Sequence, residues 1–380
     1  MNGQVNPKPI ALAATLTLLL LAGAPALAGG GATPLWQPTT ITQPGAYVVT
    51  RDISAASGPV FDIQVDGVTI DGCGHTLSVA NATDAVISIG GPGGGEKGII
   101  IVDTRVHGGA YGIKACPPDA VRLRLREVTL VENFEVAVEM DNVGNLEATG
   151  IIIIGNRVGF DLSGPSPSSD RPHASIRNSS IQADIGVQCT SIRCRIADNV
   201  ITSYGSAVHL SSSDGGDVNY NLFASADVAF NPQPEPPRYM LFLESSPGVV
   251  ASHNVFRGVV EPGTFDVHGI VVDGSSHDAK ICDNLITGYG GDGIRISSTG
   301  TTVRDNQINA NTRYGVYADG LNLLFDGNRI AGNTSDGMHF ITPGNVLRGN
   351  VLMGNDNPLG GPEGSGQTDG GGNLPPLIPE

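Results

Sequence analysis

A spacing of 22 residues constrains this chain more than any other feature. Asn284, Asn306, Asn328 and Asn350 keep it, and so do Gly293, Gly315 and Gly337. The stretches DNLITGYGGDGIRIS, DNQINANTRYGVYAD and GNRIAGNTSDGMHFI share one skeleton, with Ile two residues and Gly nine residues after the Asn. A fixed period of this length marks a unit that cannot bury its own apolar face and stacks on copies of itself.

Carried upstream, the register places anchors at Gly112, Ala137, Gly159, Gly186, Ala207, Met240 and Gly269, which makes ten rungs. The first and third residues after each anchor are apolar, from Ile113/Ala115 and Val138/Met140 to Val316/Ala318 and Met338/Phe340. Such alternation predicts strands with one buried face. The expected fold is all-β, a solenoid of roughly ten or more coils, whose parallel strands stack at about 4.8 Å per coil. A leucine-rich repeat has a similar period but needs recurring Leu where Ile, Val and Gly stand here. Helical repeats are disfavoured by the 53 glycines and the many asparagines. Asn side chains stacked at one corner would hydrogen-bond along the axis, so the recurring Asn is read as scaffold.

Residues 1–28 have the pattern of an export signal. Lys8 gives a positive start, Ile10 to Ala22 is apolar, and Ala26-Leu27-Ala28 offers small residues for cleavage. No later segment approaches the roughly 18 apolar residues of a membrane span. A secreted or periplasmic monomer without a membrane span is expected, with its folded domain at 29–355. The Gly- and Pro-rich stretch 356–380 is expected to lack fixed structure. The formal charge of −16 argues against nucleic acid as a partner. Five cysteines leave at least one unpaired. Cys189 and Cys194 could bridge a turn, although small buried hydrophobes are the favoured reading.

These repeats, with the opening ITQPGAYVVTRDIS followed by VDGVTIDGCGHTLS, resemble the right-handed parallel β-helix proteins of the pectate-lyase-like superfamily. That group includes polysaccharide lyases, polygalacturonases, alginate epimerases and NosD-type periplasmic proteins. The resemblance spans about 40 to 355. It implies a polysaccharide lying along an exposed parallel sheet, acted on by a lyase or glycoside hydrolase. The alternative is a non-catalytic envelope or accessory module of the NosD type.

Three constellations are candidates for chemistry. Glu139, Asp141 and Asp161 stand on neighbouring rungs, where like charges need an offset. Calcium, which the resemblance to pectate lyases implies, would supply it, and so would Lys114 on the preceding rung. Two insertions, SADVAFNPQPEPPRY (225–239) and VVEPGTFDVH (259–268), leave from one corner on consecutive rungs. They would flank a groove holding Phe242, Arg295, Tyr317 and His339, a set suited to stacking on sugars and bonding their polar groups. One residue before the anchors stand His268, Asp292, Tyr314 and Asp336. Through VHG, GDG and SDG they partly match the polygalacturonase motifs, which implies catalytic roles for His268, Asp292 and Asp336. The two aspartates sit two coils apart, about 9.6 Å at the strand spacing, the outer range for an inverting pair. The Asp-Pro-His-Asp signature of alginate epimerases is absent.

Overall fold

The computed structural model describes residues 31–90, 97–116, 121–164, 173–226, 238–259, 267–362 and 366–374. Every regular element among them is a strand, and the chain winds about 13 turns of a parallel solenoid with a period of about 23 residues. The leader-like segment 1–28 and most of both insertions, 227–237 and 260–266, lie outside the described residues.

A coil contributes up to three short strands, giving three parallel sheets. The first contains Tyr111–Ala115, Val136–Met140, Val267–Val272, Ile294–Ile296, Val316–Ala318 and Asp336–Phe340. The second contains Val143–Thr149, His173–Arg177 and Arg193–Ala197. The third contains Val200–Ser203, Leu285–Thr287 and Arg329–Ala331. In the first sheet each rung stacks as the spacing predicts. Lys114 lies beside Glu139, Glu139 beside Asp161, and Asp161 beside Gln188. His209 lies beside Phe242, Arg295 beside Tyr317, and Tyr317 beside His339.

The sheet is longer than the ten rungs. Thr39–Ile41, Phe61–Ile63 and Ala85–Ile89 precede them. The anchor slots of the last two hold Val60 and Val86, so no small anchor announces them. At the other end the expectation for 356–380 is corrected over its described part. Asn357–Gly360 pairs with Asp336–Phe340, and Thr368–Asp369 pairs with Val346–Arg348. Composition failed as a guide there because a neighbouring coil supplies the hydrogen bonds and apolar surface that the segment lacks.

The inward residues form one continuous core of Ile, Val, Leu and Phe. Burying each such side chain contributes about 1.5–3 kcal/mol. At the corner between the second and third sheets, Asn199, Asn221, Asn254, Asn284, Asn306, Asn328 and Asn350 form a buried ladder that ends on Asn373. The anchor glycine also has a steric cause. A Cβ on Gly315 would lie 2.6 Å from Gly337 O and 2.8 Å from Asn333 Nδ2. Asn333 belongs to a second buried ladder, Asn311–Asn333–Asn355, at the corner before the first sheet.

Cys189 and Cys194 form a disulfide with Cα atoms 6.7 Å apart. Both are also fully buried, so the favoured reading as small core residues is corrected to a bridge within the core. Cys73, Cys116 and Cys282 are free thiols.

Candidate functional site

The anchor and the residue after it both point inward, as Gly337 and Met338 do. Two successive inward residues interrupt the alternation, so the residue before an anchor and the residue two after it share the outer face. The second and third constellations are therefore one. Successive coils present Tyr239 with Phe242, His268 with Val271, Asp292 with Arg295, Tyr314 with Tyr317, and Asp336 with His339.

These side chains touch along the axis. His209 stacks on Phe242 at 4.9 Å between ring centroids, and Tyr239 contacts both Phe242 and His268. The Arg295 guanidinium lies over the Tyr317 ring at 4.5 Å, and Arg313 over Tyr314 at 5.4 Å. His339 stacks on Tyr314 at 4.5 Å and on Tyr317 at 5.6 Å. Val271, 8% exposed, is the one aliphatic position in the row from His209 to His339.

Asp292 sits beneath this track with no exposed surface. Its backbone N–H donates to His268 Nδ1 at 3.0 Å. A backbone amide can only donate, so Nδ1 accepts, and it has no proton to give Asp292 Oδ2 at 3.3 Å. Oδ2 accordingly has no hydrogen-bond partner. The arginines bracket the carboxylate, with Arg295 Nη1 3.7 Å from Oδ2 and Arg313 Nε 3.7 Å from Oδ1. The buried carboxylate thus draws two partly exposed guanidinium groups toward it, one on each of two neighbouring coils. Asp336 is held differently. It meets His339 Nδ1 at 2.6 Å and accepts from Asn357 Nδ2 at 2.9 Å.

The acidic trio lies nearer the amino-terminal end of the same sheet. Glu139 pairs with Lys114 at 2.9 Å, and Asp141 accepts from the Ser163 hydroxyl at 2.9 Å. Burial, with Glu139 and Asp141 nearby, raises the Asp161 carboxyl above its usual range. The donor atoms that converge within 4.8 Å belong to Cys116, Glu139 and Asp141, without Asp161. Cys116 is exposed as a residue, but desolvation of its sulfur, followed by its bond to Asp141, pushes the thiol up to about 12. Calcium takes six to eight oxygen ligands, whereas the converging set offers two carboxylates and a thiol. Lys114 offsets the charge of Glu139.

Tyr239 and Arg313 are members of the track that the repeat did not single out. Met240 replaces the anchor glycine after Tyr239, which hid that rung's aromatic. Arg313 stands two residues before Gly315, a position the strand alternation does not assign to the outer face. The stems of the insertions are adjacent, since Val259 N donates to Ser225 Oγ at 2.8 Å.

The family described as "Right handed beta helix region" matches residues 239–366. An alanine variant of the periplasmic alginate epimerase AlgG superposes on 87% of this chain and 78% of its own, with a TM-score of 0.52 at 14% identity. The chain is a right-handed parallel β-helix. A threonine-to-asparagine variant of the same epimerase covers this β-helix equally, with a TM-score of 0.51 at 14% identity. The A-module of the mannuronan C-5 epimerase AlgE6 from Azotobacter vinelandii covers 91% of both chains at 19% identity, but its TM-score of 0.42 is too low to carry an argument. No curated protein matches the β-helix sequence significantly.

Proposed function

We propose that this β-helix is an exported protein that binds a polysaccharide along its first sheet, with the glycan running parallel to the solenoid axis. The observation that carries this reading is the unbroken contact of Arg295, Tyr314, Tyr317 and His339 across three coils. Flat rings offer faces for sugar C–H groups, and guanidinium groups pair with carboxylates or hydroxyls. A solved structure of the same fold is a periplasmic alginate epimerase, which is consistent with a glycan and with export.

Binding without turnover is the favoured form of this function. Asp292 has no surface from which to meet a substrate, and Asp336 is held by His339 and Asn357. One observation favours a hydrolase or lyase as the second reading. The unpartnered Oδ2 of Asp292 beside His268 is the kind of buried polar group that clusters at functional sites.

The test is retention of the purified protein on neutral and uronic-acid polysaccharides, with reducing ends and unsaturated ends measured together. Retention without products is expected, and Tyr317→Ala should weaken it about tenfold. Products that vanish in Asp292→Asn would move the reading to catalysis. Unchanged affinity in Tyr317→Ala would remove the track from the binding site.

A further inference from the structure

The second sheet carries a different surface. Six arginines, Arg122, Arg124, Arg126, Arg177, Arg193 and Arg195, point outward from three strands of that sheet, each beside at least one buried apolar residue. The strand Val143–Thr149 lies between two of these, and the register aligns the side chains in columns along the axis. Arg122 leads through Asn145 and His173 to Arg193. Arg124 leads through Glu147 and Ser175 to Arg195, and Arg126 through Thr149 to Arg177. The chain as a whole has 37 acids against 21 Lys and Arg. Among the described residues this face holds Glu147 and, one strand on, Asp217, with the exposed Glu127 and Asp198 at its edge beyond Arg126 and Ala197.

Two shallow grooves cross these strands. One of about 320 Å³ includes Arg122 and Arg124, and the next, of about 430 Å³, includes Arg177, Arg193 and Arg195. Both are lined by Asn145 and Glu147, so they join into one track. The local field is visible at Glu147. Its hydrogen bond with Arg124, reinforced by Arg126 and Arg177, holds its carboxyl below the usual range.

We propose that this arginine face is a second binding site, for an acidic polysaccharide bearing carboxylate or sulfate groups. Guanidinium forks match the planar oxygens of either group. Columns rising about 4.8 Å per coil suit an extended chain with charge repeated along its length. A single-stranded nucleic acid would want aromatic platforms for its bases, and the outward positions on these strands hold no Phe, Tyr or Trp. The overall charge of −16 opposes a duplex. A second copy of this chain could offer its acidic trio, but Glu139 and Asp141 already have the partners Lys114 and Ser163. This site does not rest on the first-sheet reading, because no residue is shared.

The experiment titrates dextran sulfate into the full chain at several salt concentrations. Two variants, Arg177→Gln/Arg193→Gln/Arg195→Gln and Arg122→Gln/Arg126→Gln, are compared with the parent and with Arg329→Gln, which removes an exposed arginine from the third sheet. Each variant of the arginine face should bind at least tenfold more weakly with a shallower salt dependence, while Arg329→Gln binds like the parent. The proposal is overturned by no binding in the parent, or by equal binding in parent and folded variants of the arginine face. An equal loss in Arg329→Gln would also overturn it. So would preference for a single-stranded oligonucleotide, or a parent dimer that the triple variant abolishes.

Discussion

Gly291 lies so close to the ring of His268 that a Cβ on it would stand 2.8 Å from Nδ1 and 2.9 Å from the backbone oxygen of Val267. The backbone of Gly291 does not require a glycine conformation, so the constraint is space alone. Gly291→Ala should destabilise the protein by about 1–3 kcal/mol through overpacking and displace His268 from Asp292. Urea denaturation measures it, with Gly90→Ala as the control, since a Cβ there meets nothing within 4 Å. Equal stability of the two variants would refute the argument.

Asn306 is a middle rung of the long ladder. Its Oδ1 accepts from the Asn284 backbone N–H at 3.0 Å, and its Nδ2 donates to Ile281 O at 2.8 Å. Asn306→Ala leaves both groups buried without that partner, at about 1–3 kcal/mol each. A loss of stability near the sum should appear in thermal melting. A loss below about 1 kcal/mol would mean that water or a shifted coil replaces the side chain.

Asp161 predicts a pH dependence. Burial and the neighbouring acids raise its folded-state carboxyl above the unfolded value of about 3.9. Its contribution is fully favourable below that unfolded value and is lost as pH rises through the raised one. Asp161→Asn should therefore stabilise the protein at neutral pH, with the gain shrinking toward pH ~3.5. A variant less stable than the parent at pH 7 would contradict the assignment.

Calcium should leave the melting temperature unchanged, with or without chelator. The converging donors are a thiol and two carboxylates, one of them paired with Lys114, which is few oxygens for calcium. A chelator-reversible rise that Glu139→Ala removes would restore the metal site.

The sequence alone determined the scaffold: the period, the ten stacked rungs and the buried Asn corner. Period-2 alternation and one recurring polar residue are local signals that every coil repeats, so ten copies reinforce one another. It also placed Arg295, Tyr317 and His339 in one column, because stacking in register is a consequence of the period. Only the tertiary structure decided that His268, Asp292 and Asp336 share that column's face, since this depends on two successive inward residues breaking the alternation. It alone decided the Cys189–Cys194 bridge, which needs a distance, and the coils beyond Asn355, which needed a neighbour to order them. The arginine face was likewise invisible in the sequence. Its residues lie up to 73 positions apart, from Arg122 to Arg195, and no repeat joins them until the second sheet stacks.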